Sequence, residues 1–187
     1  TTAVVFNADN ATATANFKGH MLSDDSDVTA NGNSRQIAAT SDGGNYGYAF
    51  VYVENGDIWL TEKSGSTWSP DELYISSGSN YSIQSPAIAS YLGDLFTAYL
   101  MVEDSNPDNK LLMFYNGETG VTSLLSNNIS SSNPAPAVYY GQSRNSHYAM
   151  VVWDNGDGIK FWNEDEGQVY TIPGTDTNCH NPDIQGI

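Results

Sequence analysis

The chain has 187 residues, of which 39% are hydrophobic and 12% aromatic, a composition that predicts one globular domain with a buried core rather than a disordered segment. Its formal charge of −16, from 22 acidic residues against four lysines and two arginines, excludes a basic surface for nucleic acid and disfavours anionic membranes. No apolar run approaches the roughly 18 residues that span a bilayer. The negative charge indicates either simple solubility or cation binding.

The single cysteine, Cys179, excludes an intramolecular disulfide, so packing must stabilise the fold. The first residue is Thr1 rather than Met, and we expect either a removed signal peptide or a trimmed initiator methionine. Asn-x-Ser/Thr sequons at Asn10, Asn80 and Asn128 favour the first possibility. We therefore expect a secreted or extracellular protein, with a cytoplasmic one as the alternative.

A stretch of about fifty residues recurs along the chain. Residues 148–156 (YAMVVWDNG) echo residues 48–56 (YAFVYVENG) and residues 97–104, and residues 2–9 form a weaker copy. The aligned alanines are separated by 46, 49 and 51 residues and are Ala3, Ala49, Ala98 and Ala149. A period near fifty with strand-like content is typical of β-propellers and other stacked arrays.

Each full copy divides into four strand candidates separated by turns rich in Gly, Asn and Ser. In chain order the candidates are residues 35–40, 48–53, 57–61 and 68–75, then 86–91, 96–102, 110–115 and 121–125, then 136–140, 148–153, 158–162 and 168–172. The pair Asn55-Gly56 between two candidates is a strong hairpin signal. No segment has a sustained helical period, so the pattern predicts an all-β chain.

The two ends of the chain complement each other. Residues 181–187 match the first strand of each copy, whereas residues 1–25 contain candidates only for the other three. The C-terminal strand would therefore close a ring by joining the N-terminal strands, which removes exposed sheet edges. We predict one domain over residues 1–187, a four-bladed β-propeller with four-stranded antiparallel blades at residues 181–187 plus 1–25, 34–75, 85–125 and 135–172. A β-sandwich and a partial ring completed by another chain are the alternatives.

Residues 57–68 (DIWLTEKSGSTW) resemble a turn of sialidase-type propellers, the Asp-box, whose pattern is Ser/Thr-x-Asp-x-Gly-x-x-Trp. Thr61, Gly65 and Trp68 match this pattern, and Lys63 stands where the aspartate belongs. The resemblance implies propeller architecture alone. Sialidases bind the substrate carboxylate with three arginines, and this chain has only two arginines, so their activity does not carry over.

The chain also resembles small repeat-built propeller lectins, in which aromatic and polar side chains on each blade hold a sugar. Four tryptophans and twelve tyrosines are numerous for this length, and sugar rings stack on aromatic side chains. We therefore predict a non-catalytic lectin that binds a glycan. The candidate ligand-binding residues are Trp59, Trp153, Trp162, Cys179 and His180.

Two alternative functions stay open. Cys179 and His180 are adjacent just before the closing strand, where a carrier could hold a small organic molecule, a pigment or a metal in the central channel. Carboxylates are abundant enough for a glycan-acting hydrolase. However, acids recur at the end of the second strand in each copy, which favours a structural role in the turn; they are Asp9, Glu54, Glu103 and Asp154.

The segment from Asp104 to Asp108 is a candidate calcium site. Asp104, Asn106 and Asp108 alternate along the chain as the oxygen ligands do at the start of a calcium loop. The glycine and the distant bidentate glutamate of a complete loop are missing, so a tight polar turn without an ion is the favoured explanation. The sequence identifies no cofactor; a calcium ion and a bound small molecule are the candidates, and an oligomer stays possible.

Overall fold

The computed structural model describes residues 36–42, 45–127, 129–143 and 146–184, which form three antiparallel sheets and, within those ranges, no helix. The first sheet contains β1 (Ile37–Asp42), β2 (Asn45–Glu54), β3 (Asp57–Ser64), β4 (Thr67–Trp68) and β5 (Glu72–Ile75). The second contains β6 (Tyr81–Tyr91), β7 (Asp94–Glu103), β8 (Asn106–Asn116) and β9 (Val121–Ser126). The third contains β10 (Ala137–Ser143), β11 (Ser146–Asp154), β12 (Ile159–Asn163) and β13 (Gln168–Thr171). The all-β prediction is confirmed, and none of the described ranges contains a helix able to cross a membrane.

Strands follow one another in chain order within each sheet, as antiparallel hairpins allow. In the first sheet both β4 and β5 pair with β3, where one strand was expected over residues 68–75. Pro70 separates the two pieces, because proline has no N–H group to donate to the ladder. The other eleven strands overlap the predicted ones and differ from them only at their ends.

The largest difference at a strand end is in β6, which begins at Tyr81 rather than at residue 86. The register with β7 shifts between Gln84 and Ala87, and Ser85 there has a φ of 49°. Pro86 cannot donate a ladder hydrogen bond, so the strand passes it through a β-bulge and continues. The sequence predicts that the strand begins at Pro86, whereas in the structure Pro86 lies at the bulge.

Two tight turns carry left-handed backbone. Asn55 and Gly56 have φ values of 53° and 83°, which confirms the predicted hairpin between β2 and β3. Leu92 and Gly93 have φ values of 51° and 97° between β6 and β7. A leucine in this conformation is unfavourable, so its two flanking strands must hold the turn in place.

The second sheet lies between the other two, because its edge strand β6 contacts both β1 and β10. Core residues between the first and second sheets include Ala49, Val51, Ile58, Ile83, Ile88 and Tyr99. Those between the second and third include Phe96, Leu100, Leu112, Phe114, Val151 and Trp153. The repeat alanines Ala49, Ala98 and Ala149 are all fully buried. A small side chain is needed at this point because neighbouring sheets pack closely against it.

The far face of the third sheet is covered by the C-terminal segment. Cys179 and Ile184 pack there against a small buried cluster formed by Ala137, Val152 and Ile159. Residues 181–184 lie on the predicted closing strand but are not in strand conformation. Residues 1–35 and 185–187, and with them the rest of the predicted fourth blade and the sequon at Asn10, lie outside the described residues, as does Asn128. Three sheets of four or five strands are therefore shown, and a closed ring is not.

Candidate functional site

A groove with a volume of about 690 Å³ lies at the tip of the β3–β4 hairpin, between the first sheet and the turn that joins β6 to β7. Residues of the first sheet line most of it, and Gly93 in the β6–β7 turn closes one side. We call it the hairpin groove. Its volume is in the range of about 300–1,000 Å³ that is typical of sites for small ligands.

Two aromatic rings in the hairpin groove are open to solvent. Tyr46 is 81% exposed and Trp68 is 37% exposed. Large aromatic side chains contribute most when they are covered, so exposed rings beside a concave surface indicate a site that a ligand covers. The Lys63 ammonium lies 5.8 Å from the centroid of the Trp68 ring, within the range of a cation–π contact.

Ser69, the residue after Trp68, forms hydrogen bonds to β3 through both its backbone and its side chain. The Thr61 hydroxyl donates to the Ser69 carbonyl at 3.1 Å, and the Ser69 amide donates to the Glu62 carbonyl at 2.7 Å. The Glu62 amide in turn donates to the Ser69 hydroxyl at 2.9 Å. Thr61 is fully buried, so its bond is shielded from water. These bonds fix the backbone that carries the Trp68 ring. A ligand that bound this ring would therefore cost less conformational entropy of the chain.

The polar part of the groove suits neutral hydroxyl groups. Hydroxyl side chains line it at Thr40, Ser64 and Thr67, and each can both donate and accept a hydrogen bond. The Glu62 carboxylate can accept two more. Among the described residues of the lining, Glu62 is the one with a carboxyl group, whereas glycoside hydrolysis needs a pair.

The predicted binding residues Trp153 and Trp162 lie elsewhere, in the core between the second and third sheets. Trp153 is fully buried, and its indole N–H donates to Asn155 Oδ1 at 3.3 Å. The rings of Trp162 and Phe114 have centroids 5.0 Å apart. Packing accounts for both tryptophans, and in this conformation neither presents a ring face to a ligand.

Trp59 lies on β3 and is partly buried. It faces Tyr52 on β2 and Leu73 on β5 across the ladder. Its indole N–H is buried without a hydrogen-bond partner among the described residues. Trp59 does not line the hairpin groove.

Cys179 and His180 lie beside the third sheet, where a buried carboxylate holds the histidine. His180 Nδ1 is 2.8 Å from Asp154 Oδ2, and the Asp154 side chain also accepts from the Ser131 hydroxyl at 2.9 Å and the Gly156 amide at 2.7 Å. Cys179 is half-buried against the small cluster on the far face of the third sheet. Asp154 therefore has the structural role in the turn that its recurrence indicated, and binding of a ligand by Cys179 or His180 stays a prediction.

The predicted calcium ligands lie at the β7–β8 turn, where Asp104 is in the turn and Asn106 and Asp108 are exposed on β8. Hydrogen bonds from Asn109 and from an adjacent serine lower the pKa of Glu103 at the end of β7 below its ordinary value. Within the described ranges no three His, Cys, Asp or Glu side chains converge as a metal site. Calcium binding at residues 104–108 stays a prediction.

None of the groove residues Tyr46, Glu62, Lys63 and Trp68 is among the binding residues predicted from the sequence. Lys63 and Trp68 belong to the Asp-box-like turn, which implies only the fold. Tyr46 precedes the residues predicted to form the second strand. The signal that could have found the site was the location of Trp68 beside a Gly-containing hairpin turn, because a residue at a hairpin tip is seldom covered by neighbouring sheets.

Neither a protein-family model nor a curated protein matches the sequence. Among solved structures, the chain is similar to a fucose lectin from Kordia zhangzhouensis in complex with methyl-fucoside. The TM-score is 0.53 at 13% sequence identity, and the match covers 75% of this chain and 99% of the lectin chain. At this identity the likeness concerns the all-β fold.

Proposed function

We propose that the protein is a non-catalytic carbohydrate-binding protein that holds a sugar in the hairpin groove. The observation that carries the proposal is the pair of exposed rings, Tyr46 and Trp68, beside a lining of hydroxyl groups and one carboxylate. The similar fold of a lectin solved with methyl-fucoside supports the same class of function, and lectins are not enzymes.

A sugar ring has an apolar face of C–H groups and an edge of hydroxyl groups. In the proposed complex the C–H face stacks on the indole of Trp68 or the phenol of Tyr46. The ring hydroxyls donate to the Glu62 carboxylate and exchange hydrogen bonds with the hydroxyl side chains. A buried tryptophan anchor typically contributes about 2 kcal/mol or more to binding, equivalent to about a 30-fold change in Kd.

The test is a glycan array with the wild-type protein, followed by calorimetric titration of the sugars that bind. Trp68→Ala should weaken binding by about 30-fold or more. Tyr170→Ala is the matched control, since Tyr170 is 42% exposed on β13 and does not line the groove. Circular dichroism checks that both variants fold.

The proposal fails if the array shows no sugar bound by the wild-type protein. It also fails if Trp68→Ala and Tyr170→Ala have the same effect on a sugar that does bind.

The finer architecture is part of the proposal: a closed four-bladed ring whose fourth blade combines residues 181–187 with residues 1–25. Two observations support it. Ile184 already packs on the far face of the third sheet. The far face of the first sheet has large apolar side chains that are half exposed, at Ile37 and Tyr48. These residues alternate along their strands with residues that face the second sheet. A fourth blade would cover both faces.

Small-angle X-ray scattering tests ring closure. A compact domain of this length has a radius of gyration of about 16 Å. An arrangement in which the N-terminal segment does not pack would give a clearly larger radius and a scattering curve without a well-defined compact peak in the Kratky plot. Such a result would contradict the closed ring and leave carbohydrate binding untouched.

A further inference from the structure

Lys63 differs from the other lysines in the described part of the chain. Lys110 donates to the Ser131 carbonyl at 2.6 Å, and Lys160 lies 3.1 Å from Asp157 Oδ1. Within the described ranges Lys63 Nζ has no such oxygen partner, and it lies 5.8 Å from the centroid of the Trp68 ring. In a chain with a net charge of −16, a lysine ammonium without an oxygen partner among the described residues is unusual.

The position of Lys63 makes its charge available to a ligand. The side chain is half-buried and lines the hairpin groove together with Trp68. Lys63 pairs with Trp68 across the β3–β4 ladder, so both side chains project from the same side of the hairpin. Glu62 is adjacent in sequence, but successive side chains on a strand point to opposite faces. Glu62 also lines the groove, but among the described residues no ion pair joins its carboxylate to Lys63.

We propose that the hairpin groove selects saccharides with an anionic substituent, a carboxylate or a sulfate, which accepts a hydrogen bond from the Lys63 ammonium. This inference rests on the proposed function, since the sugar ring stacks on the same indole that Lys63 contacts. An ammonium is a compact charge with three donors and no fixed plane, so it can meet either kind of oxyanion.

The overall charge of the protein does not prevent this selection. At physiological ionic strength the Debye length is about 8 Å, so carboxylates on distant blades are largely screened. A direct ion contact in a partly enclosed groove is screened much less. The preference between two otherwise identical sugars is therefore set by Lys63 rather than by the net charge.

The test compares matched sugar pairs by calorimetry in 0.15 M salt: methyl galactoside with methyl galacturonide, and N-acetylglucosamine with its 6-sulfate. The wild-type protein should bind the anionic member of at least one pair about tenfold more tightly. The pair that shows the preference identifies the anionic group. Lys63→Gln should remove the preference for the anionic member of the pair, and Lys63→Arg should retain it.

Lys160→Gln, which removes a paired lysine of the third sheet, is the control and should behave as the wild type. Equal affinity for both members of each pair, or a preference that survives in Lys63→Gln, would overturn the inference while carbohydrate binding stands. If instead the glycan array yields no bound sugar of either charge, the proposed function itself is wrong.

Discussion

Replacing Asp154 by alanine is expected to lower the free energy of unfolding by about 3 kcal/mol. The carboxylate is only 1% exposed and joins three segments of the chain. It accepts from the Ser131 hydroxyl before β10, from the Gly156 amide in the β11–β12 loop, and from His180 in the C-terminal segment. Without it, the donors lose a common acceptor.

The three hydrogen bonds to Asp154 contribute unequally to the free energy of unfolding. Ser131 is buried, so losing its charged acceptor leaves a hydroxyl without a partner, at a cost of about 1.5–2 kcal/mol. The Gly156 amide adds about 1 kcal/mol, since a turn amide can recover part of its bond from water. The His180 side chain is 57% exposed, so solvent screening limits its share to about 0.5 kcal/mol. Asp154→Asn retains one acceptor oxygen and should lose about half of the total.

Urea unfolding followed by tryptophan fluorescence measures these differences, because Trp153 and Trp162 are buried beside the affected sheet. A double-mutant cycle of Asp154→Ala with Ser131→Ala should give a coupling free energy of about 1.5 kcal/mol. His180→Ala alone should cost less than Ser131→Ala.

Two outcomes would refute this account of Asp154. One is a loss below about 1 kcal/mol for Asp154→Ala, which would mean that the desolvation of the buried carboxylate offsets its bonds. The other is a larger effect of His180→Ala than of Ser131→Ala, which would place the stabilisation in the C-terminal segment.

Two further predictions concern a turn and a phenol. Gly156 has a φ of 91°, and a Cβ there would come within 2.7 Å of the Ser131 amide nitrogen. Gly156→Ala should therefore lower the free energy of unfolding by about 2–3 kcal/mol. Gly120→Ala is the control and should lower it by about 1 kcal/mol, because Gly120 has a φ of 70° but a Cβ there would meet nothing within 4 Å. Equal urea midpoints for the two variants would contradict this prediction. Burial raises the pKa of Tyr74 above its ordinary value of 10.0, so the folded state binds the phenolic proton more tightly. The stability that the protonated Tyr74 phenol contributes is present below about pH 10 and is lost at higher pH. The urea midpoint of the wild-type protein should therefore fall above about pH 10, and it should fall less steeply in Tyr74→Phe.

Local signals predicted the strands well because they depend on neighbours in the chain. The Asn55-Gly56 pair needs only its own left-handed backbone to form a hairpin, and both residues have it. The repeat alanines indicated equivalent positions, and Ala49, Ala98 and Ala149 are all buried. The β6 bulge was not predicted, because a proline can either begin a strand or interrupt one. Only the register with β7 shows that Pro86 interrupts β6.

The binding prediction was more difficult, because exposure is a property of the assembled sheets. Trp153 and Trp68 both lie on β-strands, yet neighbouring sheets cover the first and leave the second partly exposed near a hairpin tip. No local pattern separates a tryptophan that fills a core from one that faces a ligand. The sequence therefore indicated aromatic residues as candidates, but not which of their rings are exposed.

The amino-acid sequence by itself determined an acidic all-β chain and, in the described part of it, the strand ends to within about five residues. These follow from a side-chain period of two and from turn residues, which act over a few positions. The tertiary structure decided which aromatic rings are open and which charges are paired. In the hairpin groove, strand pairing within the first sheet brings Thr40 near the β3–β4 hairpin, and only the packing of the second sheet against the first adds Gly93.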